Sequence, residues 1–307
     1  HRDLHVFPTR RSSDLRLQQI VDSVFNLTGH VYGNTYVNII GGTIRENVYG
    51  GGDMASVTGD CYVQVRGDAI VGPLDGTAMN AYVFGGGKGV GNDSDELRKA
   101  YCNVHDASVT VELDTDGRIY GSLFGGSANG HVLGDASVTL RSGVIGTEGT
   151  TSWDGNIFGG GRNFLHTNKT AGRVEGNITV NMTGGTLQGS IYGGGRSGIT
   201  GVDVDGNMIE GNDSGNVTVN ISGGTVGNID KVGVHTSNSI GDVFGGGKGL
   251  QSVADTSFHA YDLARVKNTE VNVSGTARVL GSVYGGGEMA HVGWTYGDGA
   301  YNHTGLA

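Results

Sequence analysis

Proline is almost missing from this chain of 307 residues, which holds two prolines against 60 glycines. Glycine without proline, and without a three-residue period, excludes a collagen-like triple helix. Glycine and proline together make about 20 % of the residues, below the roughly 25–30 % that marks a low-complexity disordered chain. Cysteine is as scarce. Cys61 and Cys102 form no Cys-x-x-Cys pair and no disulfide framework, although one bridge between them is left open by the sequence. Basic residues are outnumbered by acidic ones, 20 to 30, for a formal charge of −10. Phosphate binding needs clustered Lys and Arg, so nucleic acid is not expected as a partner. No run of about 18 apolar residues occurs, so no helical membrane span is expected. Helical periodicity is scarce too; the best short helix falls at residues 95–100, inside an insertion.

What the chain does have is an internal repeat. One motif reads aliphatic–aromatic–Gly–Gly–Gly. It occurs at Val48-Tyr49, Val83-Phe84, Leu123-Phe124 (ending Gly-Gly-Ser), Ile157-Phe158, Ile191-Tyr192, Val243-Phe244 and Val283-Tyr284. A second motif alternates with it and carries apolar pairs two apart: Val37/Ile39, Val63/Val65, Val109/Val111, Val138/Leu140, Val180/Met182, Val219/Ile221 and Val271/Val273. Residues two apart on a strand share a face, so Val180 and Met182 face one way and Thr179, Asn181 and Thr183 the other. Paired glycines such as Gly184-Gly185 then supply a turn. The triple glycines mark a place where the backbone bends or packs closely.

Spacing points to the architecture. Successive Val-x-aliphatic strands lie 26, 46, 29, 42, 39 and 52 residues apart. Fixed strands joined by variable lengths predict a constant cross-section with insertions at its corners. That is a parallel β-helix, or β-solenoid, of about seven coils and on the order of 30 Å in length. The repeat domain is expected over residues 29–292, with a lead-in at 16–28 and a truncated tail at 293–307. Residues 7–15 read FPTRRSSDL, which matches the translation of a common short-read sequencing adapter. Residues 1–15 are therefore set apart as an artefact, and the chain is expected to be a piece of a longer gene. The rival fold is a seven-bladed kelch-like β-propeller. It suits seven copies, but a blade needs four strands and the shortest step of 26 residues leaves little room for them.

The Gly-Gly-Thr-aliphatic turns at Gly41, Gly184 and Gly223 and the repeated Val-(Tyr/Phe)-Gly-Gly-Gly resemble the repeats of large bacterial surface proteins. These are adhesin-like, glycine-rich, right-handed β-helices of the autotransporter-passenger and polymorphic outer-membrane-protein type. The resemblance implies export, display on the bacterial cell surface, and a non-enzymatic role as a stalk or in attachment to host or matrix glycans or proteins. The insertions at residues 88–104, 196–214, 227–240 and 248–266 would make specific contacts.

Two columns run along the predicted stack. The aromatic one is either an internal ladder that stabilises the coils or a platform for sugar rings. For sugar binding the positions to test are Tyr49, Tyr192 and Tyr284, whose hydroxyls give the rings a polar end. The polar column, Asn38, Gln64, Thr110, Thr139, Asn181, Asn220 and Asn272, should face outward as a hydrogen-bonding ladder. Asn-x-Ser/Thr triplets at Asn177, Asn181, Asn216, Asn220 and Asn272 follow from strand alternation alone. Acidic loops at residues 93–96 and 114–117, and at Asp203 and Asp205 with Asp213 nearby, would suit a structural Ca²⁺, although none fits an EF-hand or nonapeptide pattern. No clustered carboxylates with a basic residue, no His-Glu-x-x-His, no Gly-x-Ser-x-Gly and no phosphate loop occurs. The expectation is a protein that is not an enzyme, with a carbohydrate-binding or carbohydrate-cleaving β-helix as the alternative.

Overall fold

The computed structural model describes residues 29–72, 81–89, 102–147, 154–228 except 165, 167 and 212, 240–252 and 260–293. They build a parallel β-helix of seven coils. Each coil begins with its longest strand: Thr35–Ile39, Cys61–Gly67, Ala107–Leu113, Ala136–Ser142, Ile178–Met182, Asn216–Ile221 and Asn268–Val273. These strands form one seven-stranded sheet in sequence order, each parallel to the equivalent strand of the next coil. The pairing is in register throughout its centre. Val37, Val63, Val109, Val138, Val180, Val219 and Val271 make one column. Side-chain alternation turns that column inward, and five of its seven members are buried in the aliphatic core.

Two further seven-stranded sheets keep the same coil order. The segments after these strands, three of them the Gly-Gly-Thr-aliphatic stretches expected only as turns, pair across coils as short strands: Thr43–Ile44, Ile70–Val71, Arg118–Ile119, Val144–Ile145, Thr186–Leu187, Thr225–Val226 and Arg278–Val279. Their second residues close another side of the core, where Val71, Ile119, Ile145, Leu187 and Val226 are buried. The corner before them needs a left-handed backbone, and Gly185 supplies it at φ +82°. The third sheet holds the aliphatic–aromatic strands, from Val48–Tyr49 to Val283–Tyr284. A fourth side is more broken. There Asn103–Val104 pairs with His131–Val132, and single parallel bridges join Val31 to Val57, Val132 to Val174, Val174 to Thr200 and Val266 to Val292.

Strands that pair only with their counterparts in neighbouring coils exclude the propeller, whose blades would radiate as separate four-stranded sheets. The triple glycines explain how the coils approach so closely. A Cβ on Gly125 or Gly159 would overlap the carbonyl oxygen of the matching glycine one coil on, Gly159 and Gly193 respectively. Cys61 and Cys102 are both buried, and no disulfide joins them. In the insertion at 196–214, Val202 bridges Met208 antiparallel, and the insertion at 248–266 ends in a 3₁₀ turn at Ala260–Asp262. The helix expected at residues 95–100, the acidic loop at 93–96 and most of the insertion at 227–240 lie outside the described residues. Among the described residues no helix is long and apolar enough to cross a membrane.

Candidate functional site

In the first six aliphatic–aromatic strands the first residue points into the aliphatic core and the second points away from it. The aromatic residues nevertheless lie in a second apolar cluster, with Phe84, Phe124, Phe158, Tyr192 and Phe244 all buried beside Tyr82 and Ala128. Seven rings stack in one unbroken ladder from Tyr49 to Tyr284. Successive centroids are 4.6–5.2 Å apart and successive planes lie within 16° of parallel. Tyr192 is covered on both faces, by Phe158 and Phe244. Tyr49 is half-buried against Phe84, and Tyr284, at the last coil, is 46 % exposed. The three tyrosines singled out in the sequence thus belong to one ladder but stand in three different environments.

A column follows the glycines that is charged at every position but one, Ala128. It runs Asp53, Lys88, Ala128, Arg162, Arg196, Lys248 and Glu288, and parts of it are joined by backbone bridges. At its outer end Lys88 Nζ lies 3.0 Å from Asp53 Oδ2, on the surface. At the other end the pairing is buried. Lys248 is 1 % exposed, and its Nζ lies 2.6 Å from Glu288 Oε2 and donates to the Tyr192 hydroxyl at 3.0 Å. That hydroxyl in turn donates to Glu288 Oε2 at 2.5 Å. Burial pushes the Tyr192 phenol far above its ordinary range, with the Glu288 charge adding to the shift. Burial also pulls the Lys248 ammonium down, while Glu288 opposes the change. In between, the Arg162 guanidinium lies 4.8 Å from the centroid of the Tyr82 ring and 4.0 Å from that of Phe164. Arg196 is lowered to about 10 by burial and by the neighbouring Arg162 charge. Of this column, Lys248 lies over a ladder ring, its Nζ 5.0 Å from the Tyr192 centroid.

The outer face of the longest strands carries two polar ladders. The first is the expected one in part. Asn220 Nδ2 donates to Asn181 Oδ1 at 3.1 Å, and Asn272 Nδ2 to Asn220 Oδ1 at 3.0 Å. The second was not expected. Three residues before each central valine stands an Asx residue: Asn34, Asp60, Asp106, Asp135, Asn177, Asn216 and Asn268. From Asn34 to Asn177 each Oδ1 accepts the backbone N–H of the next member, one coil away, at 2.7–3.3 Å. The constant offset of an Asx residue from the valine was the signal for it, readable only once the seven repeats are aligned.

Among the described residues Asp60, His105 and Asp106 are the three potential metal ligands gathered together, with ligand atoms within 4.8 Å of one another. They are already engaged with one another and with the backbone. His105 Nδ1 lies 2.8 Å from Asp60 Oδ1, which raises the histidine above its ordinary range and lowers the aspartate. The Asp203, Asp205 and Asp213 trio is arranged differently. Asp203 accepts hydrogen bonds from the backbone of Asp205 and Asn207 and from the Asn207 side chain. Burial acts to raise Asp203, but these bonds outweigh it and hold the carboxyl below its usual range. Asp213 contributes its backbone carbonyl to Asn177 Nδ2 at 2.7 Å.

Apart from Tyr284, the exposed aromatics lie off the ladder. Tyr36 and Tyr62, 66 % and 38 % exposed, stack on the outer face of the first two coils with centroids 5.0 Å apart and planes 11° apart. Their one signal in the sequence was a tyrosine at the same offset, one residue before Val37 and Val63. No family model, curated protein or solved structure matches the chain.

Proposed function

We propose that this chain is a non-enzymatic, extracellular repeat segment from a bacterial cell surface, an adhesin-like stalk or attachment arm. The observation that carries the reading is the unbroken cross-coil register: three seven-stranded sheets, one aromatic ladder and the Asx ladder all run the length of the stack. Such an array has nearest-neighbour stability and extends by adding coils, which suits a spacer that holds a contact surface away from its anchor. The two carboxylates gathered with His105, Asp60 and Asp106, accept backbone N–H groups and so act in the scaffold. Host or matrix glycans or proteins are the partners this role calls for.

Antibody raised against the purified chain should label intact, unpermeabilised producing cells, and protease added outside should remove the signal. Labelling that requires permeabilisation would overturn the proposal.

A further inference from the structure

At the corner that leads into the long strands, backbone hydrogen bonds align one residue per coil: Gly59, His105, Gly134, Gly176, Gly215 and Lys267. The glycines make room for the Asx ladder. A Cβ on Gly134 would collide with Asp106 Oδ1, and one on Gly176 with Asp135 Oδ1. In the third coil His105 stands where the glycine would be, and its ring nitrogen meets the carboxylates instead. His105 Nδ1 lies 2.8 Å from Asp60 Oδ1 and 3.5 Å from Asp106 Oδ1. Neighbouring ligands around one ion bonded at about 2.0–2.2 Å lie about 3.0–3.4 Å apart, so both separations suit a shared ion. The His105 side chain is 60 % exposed and that of Asp106 46 %, which leaves the cluster open to an ion from solvent. Both carboxylates are oriented from behind. Tyr62 donates to Asp60 Oδ2 at 2.9 Å, which keeps Oδ1 toward His105. Asp60 Oδ1 accepts the Asp106 N–H at 3.3 Å, and Asp106 Oδ1 accepts the Asp135 N–H at 2.8 Å. A carboxylate oxygen has a second lone pair, so these bonds position the ligand atoms without using them up.

We propose that Asp60, His105 and Asp106 form a zinc site that ties the second coil to the third. The site stands apart from the attachment role and does not depend on it. The donor set selects the ion. Ca²⁺ and Mg²⁺ take oxygen ligands, whereas one imidazole nitrogen with two carboxylate oxygens suits Zn²⁺, with a remaining position for water. The surrounding charge also favours a cation. Asp60, Asp106 and Asp135 all act on the imidazole, and all three are acidic. On binding, the ion replaces the proton held between His105 Nδ1 and Asp60 Oδ1, and the backbone bonds of the ladder stay in place. The bond to the metal then joins residues that are 45 apart in the chain and one coil apart in the stack.

Calorimetric titration of the metal-free chain, without an affinity tag, with zinc chloride tests this directly, with calcium and magnesium chloride as comparisons. Saturable binding of zinc is expected, with calcium and magnesium much weaker. His105→Gly and Asp60→Asn install residues that other coils carry at the same positions, as Gly134 and Asn177 do, so the repeat itself has a precedent for both. Each should weaken zinc binding by about tenfold or more. Zinc should raise the melting temperature of the parent chain and not that of His105→Gly, because only the folded parent brings the ligands together. Asp203→Asn, on the insertion at 196–214, should leave both readouts unchanged. No saturable zinc binding, undiminished binding by the His105→Gly/Asp60→Asn double variant, or calcium or magnesium bound as tightly as zinc would overturn the proposal and leave the His105–Asp60 contact an ion pair only.

Discussion

Phe158 lies at the middle of the aromatic ladder and is fully buried, with Phe124 4.8 Å away on one face and Tyr192 4.9 Å away on the other. Phe158→Ala removes a core-sized side chain, which costs about 3–5 kcal/mol once the cavity is counted. Of that, the two stacked pairs account for about 1–3 kcal/mol beyond area alone. Tyr284→Ala removes a ring that is 46 % exposed and has one stacking partner, Phe244. Its cost should be about 1 kcal/mol or less. Because each coil is stabilised by its neighbours, Phe158→Ala weakens the junctions on both sides and should divide the stack into separately melting halves. Urea unfolding followed by circular dichroism reads the difference in midpoint, and amide hydrogen exchange reads where protection is lost. Protection should fall on the strands Leu123–Phe124, Ile157–Phe158 and Ile191–Tyr192. Equal effects of the two substitutions, or a Phe158→Ala cost under about 1 kcal/mol, would refute the assignment of the ladder as a stabilising element.

Other outcomes follow from the same geometry. Gly159→Ala should cost several kcal/mol or prevent folding, because its Cβ would overlap the Gly193 carbonyl, whereas Gly286→Ala, with open space around it, should leave the melting temperature nearly unchanged. Glu288→Ala leaves Lys248 buried without its carboxylate and should cost about 3–5 kcal/mol, while Lys248→Met combined with Glu288→Leu should be close to neutral, as unfolding midpoints would show. The His105 imidazolium, favoured by Asp60, should titrate above about 6.5 by NMR and return toward that value in Asp60→Asn. The stability it contributes is complete below the unfolded histidine pKa and is lost as pH rises through the folded one. Asp60 acts in the opposite sense: its depressed pKa contributes stability above the ordinary aspartate range that disappears as pH falls through the folded value.

Much of the fold was readable because several columns repeat identical chemistry at every coil. The Val37-to-Val271 and Tyr49-to-Tyr284 columns occur as the sequence predicts, and the Asn38-to-Asn272 column keeps its register but bonds as a ladder only from Asn181 to Asn272. The second strand of each coil was hidden, since two residues such as Thr186–Leu187 after a glycine pair carry no period and read as part of a turn. The Val57, Val104, Val132, Val174 and Val266 side was hidden because variable insertions remove any constant spacing. The charged column after the glycines changes sign from Asp53 to Lys88 and again from Lys248 to Glu288, so no residue type marks it. The candidate site was legible only in outline. The aromatic ladder drew attention to Tyr192, which is enclosed, and away from Tyr36 and Tyr62, which are a pair and not a series.

Register across coils is most directly measured by disulfide trapping on the outer face, with Cys61 and Cys102 replaced by Ala. Thr110 and Thr139 are register partners in adjacent parallel strands, which puts their Cα atoms about 4.8 Å apart, within reach of a disulfide. Thr110→Cys with Thr139→Cys should oxidise to an intramolecular bridge in the folded protein. Thr110→Cys with Arg141→Cys, offset by two residues and about 8 Å apart, should stay reduced. Bridging of both pairs to the same extent, or of neither, would contradict the stacked coils.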